Sequence, residues 1–212
     1  DALEGKKGFD FADIEIDDDD EKPIKVAIVG RPNVGKSTLV NALLNEHRVM
    51  TGPEAGITRD AIAIDWEFGG RKIRLVDTAG MRRKANINHK IEKMSVDDSL
   101  RAIRLAQVVI LVIETENILD KQDLQIADHV LKEGRALVLA INKWDLVKGD
   151  EKKKETINFI KYRLETSLGQ VRNIPSISIS ALHNKNLGFM MQSVLDIYEV
   201  WNRRISTSKM NK

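Results

Sequence analysis

Cysteine is absent from this chain of 212 residues. Its absence excludes disulfide bonds, thiol nucleophiles and zinc or iron–sulfur sites with Cys ligands. Long apolar runs are lacking too, because the longest, such as Val108 to Ile113, are far short of the ~20 residues of a membrane-spanning helix. No basic start followed by an apolar stretch marks a secretory signal. We therefore expect a cytoplasmic protein with no membrane partner.

Aromatic residues are also scarce, at 5% of the chain, and none are interleaved with basic residues in a stripe. This composition argues against a platform for stacking single-stranded RNA. The four histidines, His47, His89, His129 and His183, are scattered, and their spacing indicates no metal site. No heptad pattern is present, so a monomer is expected.

Charge is distributed unevenly along the chain. Residues 1–22 hold ten acidic residues and three lysines, for a net charge of −7, and end in a run of five acids. The remaining residues carry 22 acidic and 31 basic side chains, for +9. Like charges at this density repel, and few apolar residues are available for burial, so we expect residues 1–22 to be disordered or weakly docked. They either form a solvated linker or an acidic strap that competes with an anionic partner for the basic body. The basic body favours an anionic partner, although an ordinary basic surface explains it almost as well.

Strand and helix patterns alternate after Pro23. Predicted strands cover residues 24–29, 61–68, 71–76, 108–113, 136–141 and 175–179. Predicted helices cover residues 37–45, a segment ending near 106, 120–132, a segment ending near 168, and 187–203. Such alternation is typical of an α/β fold with three layers and a mainly parallel, six-stranded sheet. Gly69-Gly70 predicts a hairpin that adds one antiparallel strand at an edge. Ligands bind such sheets at the carboxyl ends of the strands.

The segment Gly30 to Ser37 matches the phosphate-binding pattern G-x-x-x-x-G-K-[ST], with an apolar strand before it and a helix after it. Glycines allow the backbone N–H groups to approach a phosphate closely. Lys36 can reach the β- and γ-phosphates, and Ser37 can offer its hydroxyl to Mg²⁺. The predicted phosphate-binding residues are Gly30, Asn33, Val34, Gly35, Lys36, Ser37 and Thr38.

Two further loops supply candidate magnesium and γ-phosphate ligands. Asp77 lies at the end of a predicted strand and can hold a magnesium-bound water, while the N–H of Gly80 can meet the γ-phosphate. Thr58 can bind Mg²⁺ through its hydroxyl and the γ-phosphate through its N–H. The contact of Thr58 requires a triphosphate, so its loop is expected to sense the bound nucleotide.

The segment Asn142-Lys143-Trp144-Asp145 predicts selectivity for guanine. The Asp145 carboxylate can accept two hydrogen bonds from guanine, and adenine offers no matching donors. Lys143 can lay its stem on the base or brace the phosphate loop. After the last strand, Ser180-Ala181-Leu182 fits a backbone N–H contact to guanine O6. Asn142, Lys143, Asp145, Ser180, Ala181 and Leu182 complete the predicted nucleotide site.

Six stretches of the chain carry a family resemblance: GRPNVGKSTLVNALL, GITRD, VDTAGMRRK, IEKMSV, NKWD and SALH. They resemble the Era/EngA/TrmE group of translation-factor-like GTPases, and within it the second GTPase domain of the EngA (Der) family. The resemblance implies a Ras-like P-loop GTPase fold. It also implies a GTP-hydrolysing switch in ribosome biogenesis, with the ribosome or its large-subunit rRNA as partner. Residues 1–22 then form an acidic linker, 23–200 the GTPase domain, and 201–212 a tail toward a KH-like domain. The first GTPase domain and the KH-like domain would be further partners.

The family also implies how hydrolysis is assisted. Met81 stands where Ras-like enzymes carry a glutamine that orients water, so slow intrinsic turnover is expected. The resemblance implies that Asn33 helps to hold K⁺, which would offset charge in the transition state. Arg31 and Arg59 are nearby candidates for an arginine finger. Lys36, Thr58, Gly80 and Asn33 are the predicted catalytic residues, with Mg²⁺ and K⁺ as cofactors.

Two other functions remain open from the sequence. The chain could be a nucleotide-gated docking module with negligible hydrolysis, or a P-loop kinase or ATPase, although the NKWD segment argues against adenine. Basic residues follow the DTAG turn at Arg82, Arg83, Lys84, Lys90 and Lys93. They either solubilise a surface loop or make a nucleotide-dependent contact with another domain or with rRNA phosphates.

Overall fold

The computed structural model describes residues 14–16, 22–46, 64–76, 96–168 and 173–205. Its strands are β1 (Ile14–Ile16), β2 (Ile24–Val29), β3 (Ile64–Phe68), β4 (Arg71–Leu75), β5 (Val108–Glu114), β6 (Ala136–Asn142), β7 (Ser176–Ser178) and β8 (Arg203–Ile205). Its helices are α1 (Lys36–Glu46), α2 (Val96–Leu105), α3 (Lys121–Lys132), α4 (Asp150–Ser167) and α5 (Leu187–Trp201), with a short 3₁₀ turn at Trp144–Leu146.

The main sheet has six strands in the order β3-β4-β2-β5-β6-β7. All neighbours pair in parallel except β3 and β4, which are antiparallel at one edge. The turn between β3 and β4 is made by Gly69 and Gly70, with φ of 58° and 78°. Two successive positive φ angles match the twist of a tight hairpin, and glycine adopts them without strain. The predicted fold class is confirmed.

The central strands are apolar because both faces of the sheet are covered. Every residue of β6 is buried, as is all of β5 except Glu114 at its end. One face packs against α1 and α5, and the other against α2, α3 and α4. Continuous burial removes the polar alternation of a half-exposed strand, so both strands appear in the sequence as unbroken apolar runs.

Local signals set both ends of α3. The Asp120 carboxylate accepts hydrogen bonds from the N–H groups of Gln122 and Asp123, which caps the first turn. Gly134 follows the helix with φ of 65°, and its N–H donates to the Leu131 carbonyl. These two residues place the β5–α3 loop at the carboxyl edge of the sheet and return the chain at the opposite edge.

A second, two-stranded sheet was not predicted. β1 pairs antiparallel with β8, with Ile14 opposite Ile205 and Ile16 opposite Arg203. Within residues 1–22, Ile14–Ile16 are thus docked as a strand rather than disordered, and α5 ends at Trp201 rather than near Arg203. The strand is short and lies among acids, so its apolar alternation over three residues was outweighed by the surrounding charge. Within the described ranges, no helix is both long enough and apolar enough to cross a membrane.

Candidate functional site

The phosphate loop connects β2 to α1, and its two glycines are sterically required. Gly30 has φ of 147°, and a Cβ there would overlap the carbonyl oxygen of Val112. Gly35 has φ of 97°, and a Cβ there would overlap the side-chain amide of Asn142. Only glycine combines these backbone angles with such close approaches. The loop therefore has the conformation expected of a cradle for phosphate.

Lys36 and Asn33 have the conformations expected of phosphate-loop residues. The Lys36 side chain is buried, and its Nζ donates to the Arg31 carbonyl at 2.6 Å, so the ammonium group lies across the loop. Asn33 is exposed and has φ of 65°. Asparagine tolerates this left-handed conformation better than most residues. Ser37 is half-buried in the first turn of α1, and Thr38 is exposed. The ammonium and the loop are thus in reach of a common anion.

The side chain of Asn142, which is also a predicted nucleotide ligand, joins three loops. Its Nδ2 donates to the Val34 carbonyl at 2.8 Å, and its Oδ1 accepts from the Ala181 N–H at 3.0 Å. Asn142 is 4% exposed. An amide side chain donates from its nitrogen while it accepts at its oxygen, which fits the residue type at this position. Asn142 is therefore a positioning residue that ties the phosphate loop to both predicted base-binding loops.

Asp145 is held as an oriented carboxylate at the edge of the site. The Ser180 hydroxyl donates to its Oδ1 at 2.6 Å, and His183 Nε2 lies 3.8 Å from its Oδ2. The hydrogen bond from Ser180 keeps the pKa of Asp145 below its usual value, and burial opposes the shift. An ionised carboxylate at neutral pH is what guanine recognition requires. Ser180 thus orients Asp145, and Leu182 is exposed beside it.

Lys143 makes an ion pair that the sequence did not indicate. Its backbone is left-handed, with φ of 61°, and its Nζ lies 2.7 Å from Glu114 Oε2. Glu114 ends β5, the strand between β2 and β6. The position of Glu114 at the end of an apolar strand, where ligand-binding loops begin, is a sequence signal that could have indicated this ion pair.

Arg31, a candidate arginine finger, is held by carboxylates. Its Nε lies 2.9 Å from Asp123 Oδ1, and its Nη1 lies 2.8 Å from Asp120 Oδ2. Asp123 is fully buried, and burial raises its pKa to about 6, although the adjacent Arg31 guanidinium opposes the shift. In this arrangement the Arg31 guanidinium is bound to the β5–α3 loop, and its role as an arginine finger stays a prediction.

Several predicted residues lie outside the described residues. They include the magnesium and γ-phosphate candidates Thr58, Asp77 and Gly80, and the second finger candidate Arg59. Met81 and the basic residues Arg82, Arg83, Lys84, Lys90 and Lys93 also lie there. The roles of these residues stay predictions. Within the described ranges, no group of three or more Asp, Glu or His side chains is placed to hold a metal ion.

Fold and site together define a P-loop GTPase domain, with a phosphate loop after β2 and a guanine-type loop after β6. The sequence profile of the 50S ribosome-binding GTPase family matches residues 25–143. The chain belongs to this family.

Sequence relatives agree with this assignment. The chain is 50% identical to GTPase Der of Mesorhizobium japonicum over 215 residues, covering all of this chain and 44% of that protein. It is 52% identical to GTPase Der of Brucella melitensis over 194 residues, covering 92% of this chain and 40% of that protein. The resemblance to the EngA/Der family is thereby confirmed, and the chain spans about two fifths of these curated relatives.

Two solved structures share the fold at low identity. Era from Aquifex aeolicus bound to GDP·AlF4⁻ matches with a TM-score of 0.58 and 24% identity, over 82% of this chain and 56% of that one. A bacterial selenocysteine-specific elongation factor, EF-Sec, matches with a TM-score of 0.61 and 17% identity, over 84% of this chain and 29% of that one. At these identities the similarity shows the fold alone.

Proposed function

We propose that this domain binds GTP and GDP and hydrolyses GTP as a slow molecular switch. The observation that carries the proposal is the position of Asn142. Its amide joins the phosphate loop at Val34 to the loop that starts at Ser180. Asp145 lies three residues after Asn142 in the chain. One nucleotide can then contact a phosphate cradle and a guanine-type carboxylate on the same sheet edge.

Base selectivity is assigned to Asp145. Guanine offers two donors to a carboxylate, and adenine would leave the carboxylate unpaired, which costs on the order of several kcal/mol when the group is desolvated. The test is competition for the site by GDP and ADP against a fluorescent guanine nucleotide. Displacement by GDP and not by ADP supports the proposal, whereas equal displacement would point to a P-loop kinase or ATPase. Asp145→Asn should remove the preference.

Phosphate binding is assigned to the backbone of the loop and to Lys36. The Lys36 ammonium already donates to a carbonyl within the loop at 2.6 Å, and a phosphate oxygen is a stronger acceptor for it. Gly30 and Gly35 have the positive φ angles and close approaches that only glycine allows, which supports a loop whose backbone N–H groups meet a phosphate. Ser37, Thr58 and Asp77 would hold Mg²⁺, Asp77 through a water. The ion would neutralise charge on the β- and γ-phosphates.

Stimulation by K⁺ is assigned to Asn33. This side chain is exposed on the phosphate loop, where it can reach an ion beside the β- and γ-phosphates. A cation there would offset developing negative charge, as an arginine finger does. The supporting observation is that Arg31 is held elsewhere by Asp120 and Asp123. Turnover without further partners is proposed to be slow because Met81 cannot orient water by hydrogen bonding.

A docking module with negligible hydrolysis is the second candidate, and Met81 is the observation that favours it. Both functions need the same nucleotide contacts, so only turnover separates them. Tight GDP binding combined with hydrolysis no faster than that of Lys36→Ala would support docking alone.

The cellular role is proposed from the family. Relatives named GTPase Der, and the family description itself, support a role at the ribosome, specifically in large-subunit assembly, in the cytoplasm. Residues 1–22 would link a first GTPase domain to this domain (23–200), and 201–212 would lead to a KH-like domain. The test is binding to purified 50S subunits with GDP or a GTP analogue at increasing salt. Steep loss of binding with salt and a preference for one nucleotide state would support contact with rRNA phosphates.

A further inference from the structure

The Arg31 side chain attaches the first half of the phosphate loop to the β5–α3 loop. Besides its pairs with Asp120 and Asp123, its Nη2 donates to the Asn117 carbonyl at 2.8 Å. The guanidinium is 13% exposed. Several bonds from one planar group fix its position more firmly than a single ion pair would. The phosphate loop therefore has a rigid point of attachment next to Gly30.

Glu114 is shared by this attachment and by the guanine-type loop. Its Oε2 lies 2.7 Å from Lys143 Nζ, and its Oε1 lies 3.9 Å from Arg31 Nη2. The second distance is a charge–charge contact rather than a hydrogen bond. The Glu114 side chain is 17% exposed, and partly buried charges are screened by salt less than exposed ones. One carboxylate thus interacts with cations from two different ligand-binding loops.

The sheet order explains why Glu114 can do this. β5 lies between β2, which precedes the phosphate loop, and β6, which precedes Asp145. Glu114 is the last residue of β5 and stands opposite Asn142 in the strand register. Asn142 holds the second half of the phosphate loop at Val34, and Arg31 holds the first half. Two separate attachments fix the orientation of one loop relative to the other, whereas a single attachment leaves rotation free.

We infer that Glu114 is a positioning residue that aligns the phosphate loop with the guanine-recognition loop so that one nucleotide fills both. The inference rests on the proposed function. It differs from a catalytic role because both oxygens of Glu114 face cations of the protein, Arg31 and Lys143. The advantage of a linked ligand over its two separate halves depends on the relative placement of the two subsites. Loss of alignment should therefore weaken the binding of GDP and leave the binding of guanosine and of pyrophosphate, which represent its two halves, unchanged.

The test is Glu114→Gln, which keeps the shape of the side chain and removes its charge. Affinities are measured by calorimetry or NMR titration for GDP, for guanosine and for inorganic pyrophosphate. GDP binding is expected to weaken roughly tenfold, while guanosine and pyrophosphate stay within about twofold of wild type. If Glu114 only stabilised the fold, Glu114→Gln would weaken the binding of guanosine and pyrophosphate as much as the binding of GDP. The matched control is Glu116→Gln, at an exposed acid two residues further along in the β5–α3 loop, which should leave all three affinities unchanged.

Each other outcome overturns the inference. Unchanged GDP affinity in Glu114→Gln would do so, and so would an equal loss for GDP and for either half. If Glu114→Gln does not fold, Glu114→Asp keeps the charge on a shorter side chain and is expected to weaken GDP alone by a smaller factor. Wild-type protein that bound no GDP would overturn the proposed function as well, so the two failures are distinguishable.

Discussion

Asn142 Nδ2 donates to the Val34 carbonyl oxygen at 2.8 Å across a sequence separation of 108 residues. The same amide accepts from the Ala181 N–H. Both bonds are buried, so each partner would lack a hydrogen bond if the amide were removed. This side chain therefore contributes both to folding and to the arrangement of the site.

Asn142→Ala should lower both stability and GDP affinity. Each buried group left unpaired costs about 1–3 kcal/mol, so the midpoint of urea unfolding should fall clearly. The affinity for GDP should fall even under conditions where the variant is fully folded, because the phosphate loop and the loop at Ala181 lose their shared hydrogen-bond partner. Urea unfolding and calorimetry measure the two effects. Asn158→Ala, at an exposed position of α4, is the control. Wild-type GDP affinity in Asn142→Ala would refute the anchoring role.

Ser180→Ala should raise the pKa of Asp145 toward its ordinary value. In the wild type the hydroxyl stabilises the charged carboxylate, so the lowered pKa keeps Asp145 ionised as pH falls. The charge of Asp145 stabilises the fold above the pKa that the group has in the unfolded chain. This stabilisation is lost as pH falls through its pKa in the folded protein. NMR titration of the Asp145 carboxyl carbon should show a higher midpoint in the variant. Ser193→Ala on α5 should leave it unchanged, and an unchanged midpoint in Ser180→Ala would contradict the assignment.

Asp123→Asn should flatten the pH dependence of stability. Burial raises the pKa of Asp123 from 3.8 in the unfolded chain to about 6 in the folded protein. The contribution of Asp123 to the free energy of unfolding is therefore complete below pH 3.8 and is lost as pH rises through about 6. Between about pH 5 and 7 this loss amounts to roughly 1 kcal/mol in the wild type.

Urea unfolding at both pH values measures this change. The variant should lack this part of the slope, while Asp128→Asn, an exposed acid of the same helix, should keep it. Identical slopes in Asp123→Asn and wild type would show that Asp123 does not titrate in this range.

The strands of the main sheet and the positions of the phosphate loop and the guanine-type loop could be predicted from the sequence, because each depends on local patterns. Apolar runs predicted β5 and β6, and glycine, lysine and serine at fixed spacing predicted the phosphate loop. The acids around Arg31 were missed, because Glu114 at a strand end and Asp120 and Asp123 at a helix start are typical solvent-exposed residues in sequence. Their pairing depends on which strand ends the fold brings together. The β1–β8 pairing was missed for the same reason, since its partners are far apart along the chain.

Asn33→Ala should abolish stimulation of GTP hydrolysis by K⁺ without preventing GDP binding. Asn33 is exposed on the phosphate loop, so its truncation removes an ion ligand and leaves the anchored backbone in place. Hydrolysis is compared in KCl and in NaCl at equal ionic strength. Equal stimulation in the variant and the wild type would remove Asn33 from the proposed ion site.

Single-turnover hydrolysis of GTP by the wild-type chain, beside Lys36→Ala, tests the central claim most directly. Lys36 lies across the phosphate loop, so its removal should eliminate charge stabilisation at the phosphates. Slow release of phosphate by the wild type in KCl, and none above background by Lys36→Ala, is the predicted result. Equal rates for the two proteins, with GDP binding intact, would contradict the account of this domain as a GTP-hydrolysing enzyme.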